Sequence, residues 1–329
     1  MLCHCLVSFM LISVITVSDI HAGETLNYRL KWLFNTSVAG DIYADDRGFF
    51  QKEGLDVKVK EGGPERDAIR ELELGHAQFG VASADQVIRA LSKGAPVVVL
   101  VQLFQINPLQ WVYRADKDSI EKLSDLKGRV LGITYGGNDE TIMRTLLAKG
   151  NIEEKEVQFF SVRYDFTPFY RGQADIWPVY RNAQGPIIAK KLGENGEDVR
   201  FFDPAAFGVK FVANSVVTSE RMMAENADTV RKFRQALLKG WEEALAPENA
   251  EKTLETLAKF DKDTSPDIRR QQLEITRSLI KPGPDFPIGS IDTAAWKQTE
   301  KMMLGQKQIP NAVSVEKVLI PLDSPLLHE

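Results

Sequence analysis

The chain has 329 residues, of which 43% are hydrophobic and 26% charged, and its formal net charge is -5. This is ordinary composition for a globular protein with room for one large domain or two medium-sized ones. The mild negative charge argues against nucleic acid or anionic lipid as a partner.

Predicted strands and helices alternate through the first part of the chain. They are a strand at 28–34, a helix at 38–52, a strand at 55–60, a helix at 64–74, a strand at 79–82, a helix at 85–92 and a strand at 97–103. The last strand is apolar throughout, which is typical of a strand covered on both faces of a parallel sheet. The alternation predicts βαβ units and a doubly wound sheet.

A second series of the same kind follows. It comprises strands at 110–114 and 129–134, a helix at 141–149, a strand at 157–162, a short helix at 167–171, strands at 174–179 and 210–218, and a mainly helical segment at 226–303. The predicted fold class is therefore α/β, with two doubly wound lobes and a cleft between them. Lobe 1 is expected to contain residues 23–112 and 213–329, and lobe 2 residues 113–212. Two crossings near residues 112 and 212 would act as a hinge that lets the lobes close around a ligand.

Residues 1–22 differ from the rest of the chain. The uncharged apolar run Leu6–Val17 precedes a small residue, Ala22, although no Lys or Arg stands before the run. This pattern predicts a secretory signal peptide, because the run is too short to span a bilayer. The expected location of the mature protein is periplasmic or otherwise extracytoplasmic.

Cysteine and histidine are scarce after this leader. Both cysteines, Cys3 and Cys5, lie within it, and His76 and His328 are the histidines that follow it. The mature chain therefore has no residues for a disulfide, a thiolate metal site, a Cys nucleophile or a His-rich metal site. No metal, cofactor or catalytic residue is expected, and His76 is expected to be a solvated turn residue.

Three aromatic residues are candidates for stacking on a flat ligand. Trp32 ends the first predicted strand, and Trp177 and Tyr180 stand where the strand at 174–179 runs out. Ring stacking contributes about 0.5–1.5 kcal/mol beyond the burial of area. A clamp between Trp32 and Trp177 would suit a planar ligand, and packing of both tryptophans in the core is the alternative.

A glycine turn provides the second group of candidates. Tyr135, Gly136, Gly137 and Asn138 join a strand to a helix, where free backbone N–H groups can bind a phosphate, a carboxylate or a ring carbonyl. Asp139 would repel an anion, so a phosphate group is not expected. The alternative is a capped turn with no ligand.

Polar side chains near the predicted strand ends complete the candidate ligand-binding residues. Ser83 and Asp85 can bond ring nitrogens or an exocyclic amine, or simply cap the helix that follows. Asn35 stands beside Trp32, and Asn107 follows the apolar strand. Asp165 is a further candidate in the second lobe.

Five segments carry a resemblance to a known family. They are Gly48–Val57, Gly75–Ser83, Leu126–Ile133, Asp165–Tyr180 and Gly208–Val217. In this order, over about residues 26–245, the chain resembles the periplasmic solute-binding proteins of ABC importers, in the group that includes thiamine pyrimidine synthase and sulfonate-binding proteins. The last two segments are similar to the subgroup that binds formylaminopyrimidine, hydroxymethylpyrimidine or riboflavin. The resemblance implies a type II periplasmic-binding-protein fold, an aromatic heterocyclic ligand, a monomer, and ABC permease and ATPase subunits as partners.

The same resemblance raises the alternative of a synthase of thiamine biosynthesis. That enzyme uses pyridoxal phosphate, a Lys, a His and a Cys-rich run. The Lys position holds Ala82 here, the His position holds Gln86, and the segment Gly208–Val217 contains no Cys. Because Ala82 cannot form a Schiff base and Gln86 cannot supply an imidazole, the chain is expected to be a binding protein and not an enzyme. A protein that binds an alkylsulfonate or nitrate is the other alternative.

Overall fold

The computed structural model describes residues 25–63, 66–163 and 165–324. The predicted signal peptide at 1–22 lies outside these residues. The described strands are β1 (Leu26–Arg29), β2 (Val57–Lys60), β3 (Phe79–Ala82), β4 (Val97–Gln102), β5 (Leu109–Arg114), β6 (Val130–Ile133), β7 (Gln158–Ser161), β8 (Ile176–Tyr180), β9 (Val199–Phe202) and β10 (Ser215–Ser219).

The described α-helices follow the strands in alternation and then run consecutively. They are α1 (Ala39–Asp46), α2 (Phe49–Lys52), α3 (Ala68–Glu73), α4 (Ala84–Leu91), α5 (Asn138–Lys149), α6 (Thr167–Tyr170), α7 (Gln184–Gly193), α8 (Glu220–Glu225), α9 (Ala227–Leu245), α10 (Ala250–Phe260), α11 (Pro266–Ile280) and α12 (Thr293–Gly305).

The first sheet has five strands in the order β2-β1-β3-β10-β4. β1 pairs in parallel with β2 and β3, whereas β10 runs antiparallel between β3 and β4. Every residue of β4 is buried, as its apolar sequence predicts. The first lobe is thus a mixed sheet whose last strand arrives from the second lobe.

The second sheet repeats this plan in the order β7-β6-β8-β5-β9. β6 pairs in parallel with β7 and β8, and β5 runs antiparallel between β8 and β9. Because β5 begins at Leu109, the second sheet starts before residue 113, where the sequence places the start of lobe 2. The first crossing between the sheets is therefore residues 103–108, and the second is residues 203–214.

Two elements of the second lobe are not predicted from the sequence. α7 and β9 lie in a segment for which the sequence predicts neither a helix nor a strand. β9 is a short edge strand with one fully buried residue, Phe202, so its apolar alternation is weak. The strand predicted at 210–218 begins only at Ser215, because the preceding residues form the second crossing.

Helix α9 of the C-terminal region packs on the first sheet. α9 buries Val230, Phe233, Leu237 and Trp241 along one face. The ring of Phe233 stacks on Phe79 of β3 with 3.6 Å between centroids. This apolar face fixes α9 on the first sheet and holds α1 beside it.

Candidate ligand-binding site

The two sheets face each other with the carboxyl ends of their parallel strands. Lys31 follows β1 and Tyr180 ends β8, and Lys31 Nζ donates a hydrogen bond of 3.4 Å to Tyr180 Oη. Open α/β sheets bind ligands outside this edge of their strands. We therefore take the space between the two edges as the candidate cleft.

Trp32 lies on the first-lobe edge of this cleft. Its side chain is partly buried, and its carbonyl oxygen accepts a 3.0 Å bond from Gly62 N, which fixes the bend after β1. Asn35 turns the chain again, because its Oδ1 accepts from Ser37 N at 2.7 Å and starts the 3₁₀ turn Thr36–Val38. Because β1 ends at Arg29, Trp32 lies in the bend after the strand and not at the end of a strand at 28–34 as the sequence predicts. Contact of Trp32 and Asn35 with a ligand stays a prediction.

Ser83 and Asp85 are buried at the start of α4. Ser83 Oγ donates to Asp85 Oδ1 at 2.5 Å, and Ser83 N donates to Gln86 Oε1 at 3.1 Å. Ser83 is therefore the N-cap residue of α4, as in the capping alternative, and Asp85 lies in the first turn and accepts the Ser83 hydroxyl. They remain on the cleft edge, because they follow β3 directly.

Asn214 is a neighbour of these residues that sequence reasoning missed. It precedes Ser215, which pairs with Ala82 at the end of β3. Asn214 is buried, and among the described residues its Oδ1 has no hydrogen-bond partner. A polar residue inside the apolar run 209–217 was the signal that could have identified it.

The loop after β6 is a closed turn. Gly136 N donates to Glu140 Oε2 at 2.7 Å and Gly137 N donates to Thr134 O at 2.8 Å. Thr134 N donates to Asp139 Oδ2 at 2.5 Å, and burial raises the pKa of this carboxyl group to about 6. The N–H groups of Gly136 and Gly137 are therefore used within the loop, as in the capped-turn alternative.

The two outer members of the same loop are accessible. The Tyr135 side chain is 58% exposed, and Asn138, the first residue of α5, is partly exposed. Leu33 on the opposite lobe is 52% exposed. Tyr135 and Asn138 are thus the members of this loop whose side chains can still reach a ligand.

Trp177 does not lie in the cleft. Its ring is fully buried in β8 and packs against Phe160, Phe166 and Phe169, with centroid distances of 5.8, 6.4 and 6.2 Å. This placement corrects the predicted clamp with Trp32, because a ring enclosed by the core of the second lobe offers no face to a ligand. Tyr180, three residues later, is the aromatic residue that β8 brings to the cleft edge.

Asn107 and Asp165 have local structural roles. Asn107 Nδ2 donates to Phe211 O at 2.8 Å and its Oδ1 accepts from Leu109 N at 2.9 Å, so it ties the two crossings together. Asp165 is exposed and accepts from Thr167 N at 2.9 Å, and hydrogen bonds from the side chain and then the backbone of Thr167 lower the pKa of its carboxyl group. Neither contact involves the cleft edge directly.

Buried polar side chains also join the lobes beside the cleft. Asn182 Nδ2 donates to Ser37 Oγ at 3.1 Å and to Thr276 Oγ1 at 2.9 Å. Gln272 Nε2 donates to Ala183 O at 2.7 Å. Sequence reasoning missed these residues, because the chain separates them widely and each reads as an ordinary helix or loop residue.

Metal-ligand clusters and long apolar helices are absent from the part of the chain that the structure describes. Over residues 25–63, 66–163 and 165–324, no group of three or more His, Cys, Asp or Glu side chains is arranged to hold a metal ion. Within the same ranges, every helix is too short or too polar to cross a bilayer.

Comparison with known proteins shows relatives over most of the chain. It is 26% identical over 289 residues to the formylaminopyrimidine-binding protein of Halalkalibacterium halodurans, covering 86% of each chain. It is 23% identical over 315 residues to the riboflavin-binding protein RibY of Chloroflexus aurantiacus, covering 89% of this chain and 84% of the relative.

The fold is shared with solved structures. The periplasmic aliphatic sulphonate binding protein SsuA of Escherichia coli superposes with a TM-score of 0.71 at 16% identity, over 93% of this chain and 96% of the other. This likeness confirms the predicted periplasmic-binding-protein fold with two α/β lobes. The family model described as "NMT1/THI5 like" matches residues 35–250, and the chain therefore belongs to the NMT1/THI5-like family.

Proposed function

We propose that the chain is the extracytoplasmic solute-binding component of an ABC importer and captures a small aromatic heterocycle by closing its lobes. The observation that carries the proposal is the cleft edge that Lys31 and Tyr180 bridge, with Trp32 beside Lys31. Aromatic rings on opposite edges can contact both sides of a flat ligand only when the lobes are together. The ligand therefore shifts the equilibrium toward the closed form, to the extent that it prefers that form.

The acidic first turns of the two helices at the cleft favour a neutral ligand over an anion at those helix ends. An anion would be attracted to the N-terminus of a helix that points at the cleft. The first turn of α5 already contains Asp139 and Glu140, whose carboxylates accept the loop N–H groups, and the first turn of α4 contains Asp85. These carboxylates disfavour an alkylsulfonate or nitrate at either helix.

The environment of the synthase positions supports binding without catalysis. Ala82 is the last residue of β3 and is buried. The carboxamide of Gln86 accepts the hydrogen bond from Ser83 N and so completes the cap of α4. Neither position supplies the amine or the imidazole that the synthase chemistry requires.

The names of two relatives support the ligand class and the setting. Proteins that bind formylaminopyrimidine and riboflavin are similar to this chain over most of its length. We infer the same kind of ligand here, delivery to a permease and ATPase pair, a monomeric state, and export through the predicted signal peptide.

A thermal-shift panel tests the ligand class. Purified residues 23–329 would be heated with 4-amino-5-hydroxymethyl-2-methylpyrimidine, riboflavin or taurine, because a compound that binds only the folded form raises its apparent stability. We expect the pyrimidine or riboflavin to raise the melting temperature. A rise with taurine alone would reject the aromatic ligand. Native mass spectrometry of the purified protein would weigh any ligand that co-purifies.

A second measurement tests the absence of synthase chemistry. Pyridoxal phosphate would be added and the absorbance of a Schiff base recorded. We expect no protein-bound band. A band that disappears when a single Lys is changed would establish the enzyme instead.

A further inference from the structure

Two hydrogen-bonded relays connect the lobes through α11, which belongs to neither sheet. In the first, the carboxamide of Asn182 reaches Ser37 in the first lobe and Thr276 on α11. In the second, Thr36 Oγ1 donates to Gln272 Oε1 at 2.9 Å, and Gln272 Nε2 donates to Ala183 O. The relays therefore join adjacent residues of lobe 2 to adjacent residues of lobe 1.

The direction of each hydrogen bond in these relays is determined by its neighbours. Thr276 Oγ1 donates its proton to Gln272 O at 2.7 Å, so it can only accept from Asn182. The amide nitrogen of Asn182 must therefore face Thr276, and its Oδ1 must face away. When the lobes separate, this hydrogen bond between Asn182 and Thr276 is replaced by bonds to water.

The side chains that make these contacts are buried from solvent. Asn182 and Thr276 are 0% exposed, and Gln272 is 2% exposed. Opening the lobes would bring water to all three side chains. The ion pair Lys190–Asp267, which joins α7 to α11 with 2.8 Å between Nζ and Oδ2, is already exposed to solvent in the closed form. Buried polar bonds depend on closure more strongly than exposed ion pairs do.

The same carboxamide also opposes closure. Among the described side chains, Asn182 Oδ1 is buried without a hydrogen-bond partner. Burial of an unpaired carbonyl oxygen is unfavourable, and water would satisfy it once the lobes part. The two donated bonds stabilise the closed form and the unpaired oxygen destabilises it, so a single side chain acts on closure in both directions.

From this geometry we infer that Asn182 is a positioning residue that sets the open–closed balance of the lobes, and hence ligand affinity, without touching the ligand. Half of its contacts come from α11 at 266–280, which lies beyond the family match at residues 35–250. We call the two relays together the clasp, and α11 supplies Gln272 and Thr276 to it. It extends the proposed function, but its effect on lobe opening needs no ligand.

Distance measurements on the ligand-free protein test the clasp. The described residues contain no Cys, so spin labels can be attached to Lys58→Cys in lobe 1 and Gln173→Cys in lobe 2, both exposed positions. We expect Asn182→Leu, which keeps a similar volume, to shift the distance distribution between labels toward open forms. Gln272→Leu should do the same through the second relay. Lys190→Met, the matched control on the same helix contact, should leave the distribution unchanged.

Kinetics with 4-amino-5-hydroxymethyl-2-methylpyrimidine provide the second measurement. We expect Asn182→Leu to raise the dissociation rate by about tenfold with little change in the association rate, since loss of a closure contact acts on the closed complex. Addition of Ser37→Ala to Asn182→Leu should cause no further change, because both act on one bond.

The outcomes separate the two proposals. If the distance between the labels in the ligand-free protein is unchanged in both Asn182→Leu and Gln272→Leu, the inference that these residues hold the lobes together is wrong. If Asn182→Leu does not fold, the result for Gln272→Leu alone decides. Failure of the pyrimidine, riboflavin and any co-purified compound to bind the unaltered protein would instead count against the proposed function.

Discussion

Lys31 Nζ lies 3.4 Å from Tyr180 Oη, although 149 positions separate these residues in the chain. Lys31 follows a strand of the first sheet and Tyr180 ends a strand of the second. This contact shows that the carboxyl edges of the two sheets meet, and it places an aromatic ring of lobe 2 opposite the bend that carries Trp32.

Removal of the Tyr180 hydroxyl tests this bridge. We expect Tyr180→Phe to weaken binding of the pyrimidine by about 0.5–1.5 kcal/mol, the net contribution of one hydrogen bond. Tyr180→Ala should weaken it further, because the ring is lost as well. Isothermal titration calorimetry measures both, with Arg181→Ala, an exposed neighbour, as the control. Equal affinities for Tyr180→Phe and Tyr180→Ala would show that the ring does not contact the ligand.

Trp32 and Trp177 should respond differently to truncation. Trp177→Ala removes a fully buried ring and is expected to lower the free energy of unfolding by about 3–5 kcal/mol. Trp32→Ala should instead weaken ligand binding by at least about 1 kcal/mol, through lost stacking and lost apolar area. Chemical denaturation and calorimetry on both variants distinguish the two effects. Unchanged affinity in Trp32→Ala would remove this ring from the site.

Asp41 makes the stability of lobe 1 depend on pH. Its carboxyl group is buried in α1, where Oδ1 accepts from Tyr28 Oη at 2.6 Å and Trp241 Nε1 at 3.4 Å. Burial raises its pKa from 3.8 to about 7, and the two hydrogen bonds oppose this rise without cancelling it. The folded form therefore holds the proton more tightly than the unfolded form does, so the contribution of Asp41 to stability falls as pH rises from 3.8 to about 7.

Asp41→Asn removes this titration and keeps the shape of the side chain. We compare the free energies of unfolding of the variant and the unaltered protein. The value for the variant should increase relative to that of the unaltered protein as pH rises through this window, and the difference should become constant above it. Each unit of raised pKa corresponds to about 1.4 kcal/mol. Urea denaturation at several pH values measures the difference. Parallel curves for the two proteins would show that Asp41 does not titrate in this range.

Gly240 allows α9 to lie close to α1. A Cβ atom at this position would stand 2.5 Å from Ala44 Cβ and 2.9 Å from Ala44 Cα. Gly240→Ala should therefore force the helices apart and lower the free energy of unfolding by about 1–3 kcal/mol. Gly193→Ala on α7 is the matched control, because no heavy atom lies within 4 Å of its added Cβ. The control should be neutral or slightly stabilising, and an equal loss in both variants would contradict the packing argument.

Much of the fold follows from local patterns. β3 has the predicted limits, β4 differs at one end, and the buried face of α9 is the one that its spacing predicts. These elements are long or strongly apolar, and their periodicity is visible in any short window. β9 and α7 lack such a signal, since an exposed edge strand needs little apolar sequence and takes its position from β5.

The candidate site was only partly predictable. Trp32 and Asn35 follow β1 and Tyr180 ends β8, so all three are near strand ends although β1 stops earlier than predicted, and their contact with a ligand stays a prediction. Trp177 and Tyr180 are three residues apart on β8 and therefore lie on opposite faces of the strand, and Trp177 occupies a face that packs into the core of the second lobe. The sequence shows that a residue stands near the end of a strand. It does not show which face of the sheet the side chain occupies when both faces are buried.

By itself, the sequence determined the α/β alternation, the absence of cysteine after Cys5, and the segments that place the chain in its family. These depend on composition and on neighbours a few residues apart. Only the tertiary structure decided that Thr36 meets Gln272 across 236 positions and that Asn182 lies between Ser37 and Thr276. Such contacts form because two lobes and a C-terminal helix pack together, and no local pattern encodes which distant polar groups will be buried face to face.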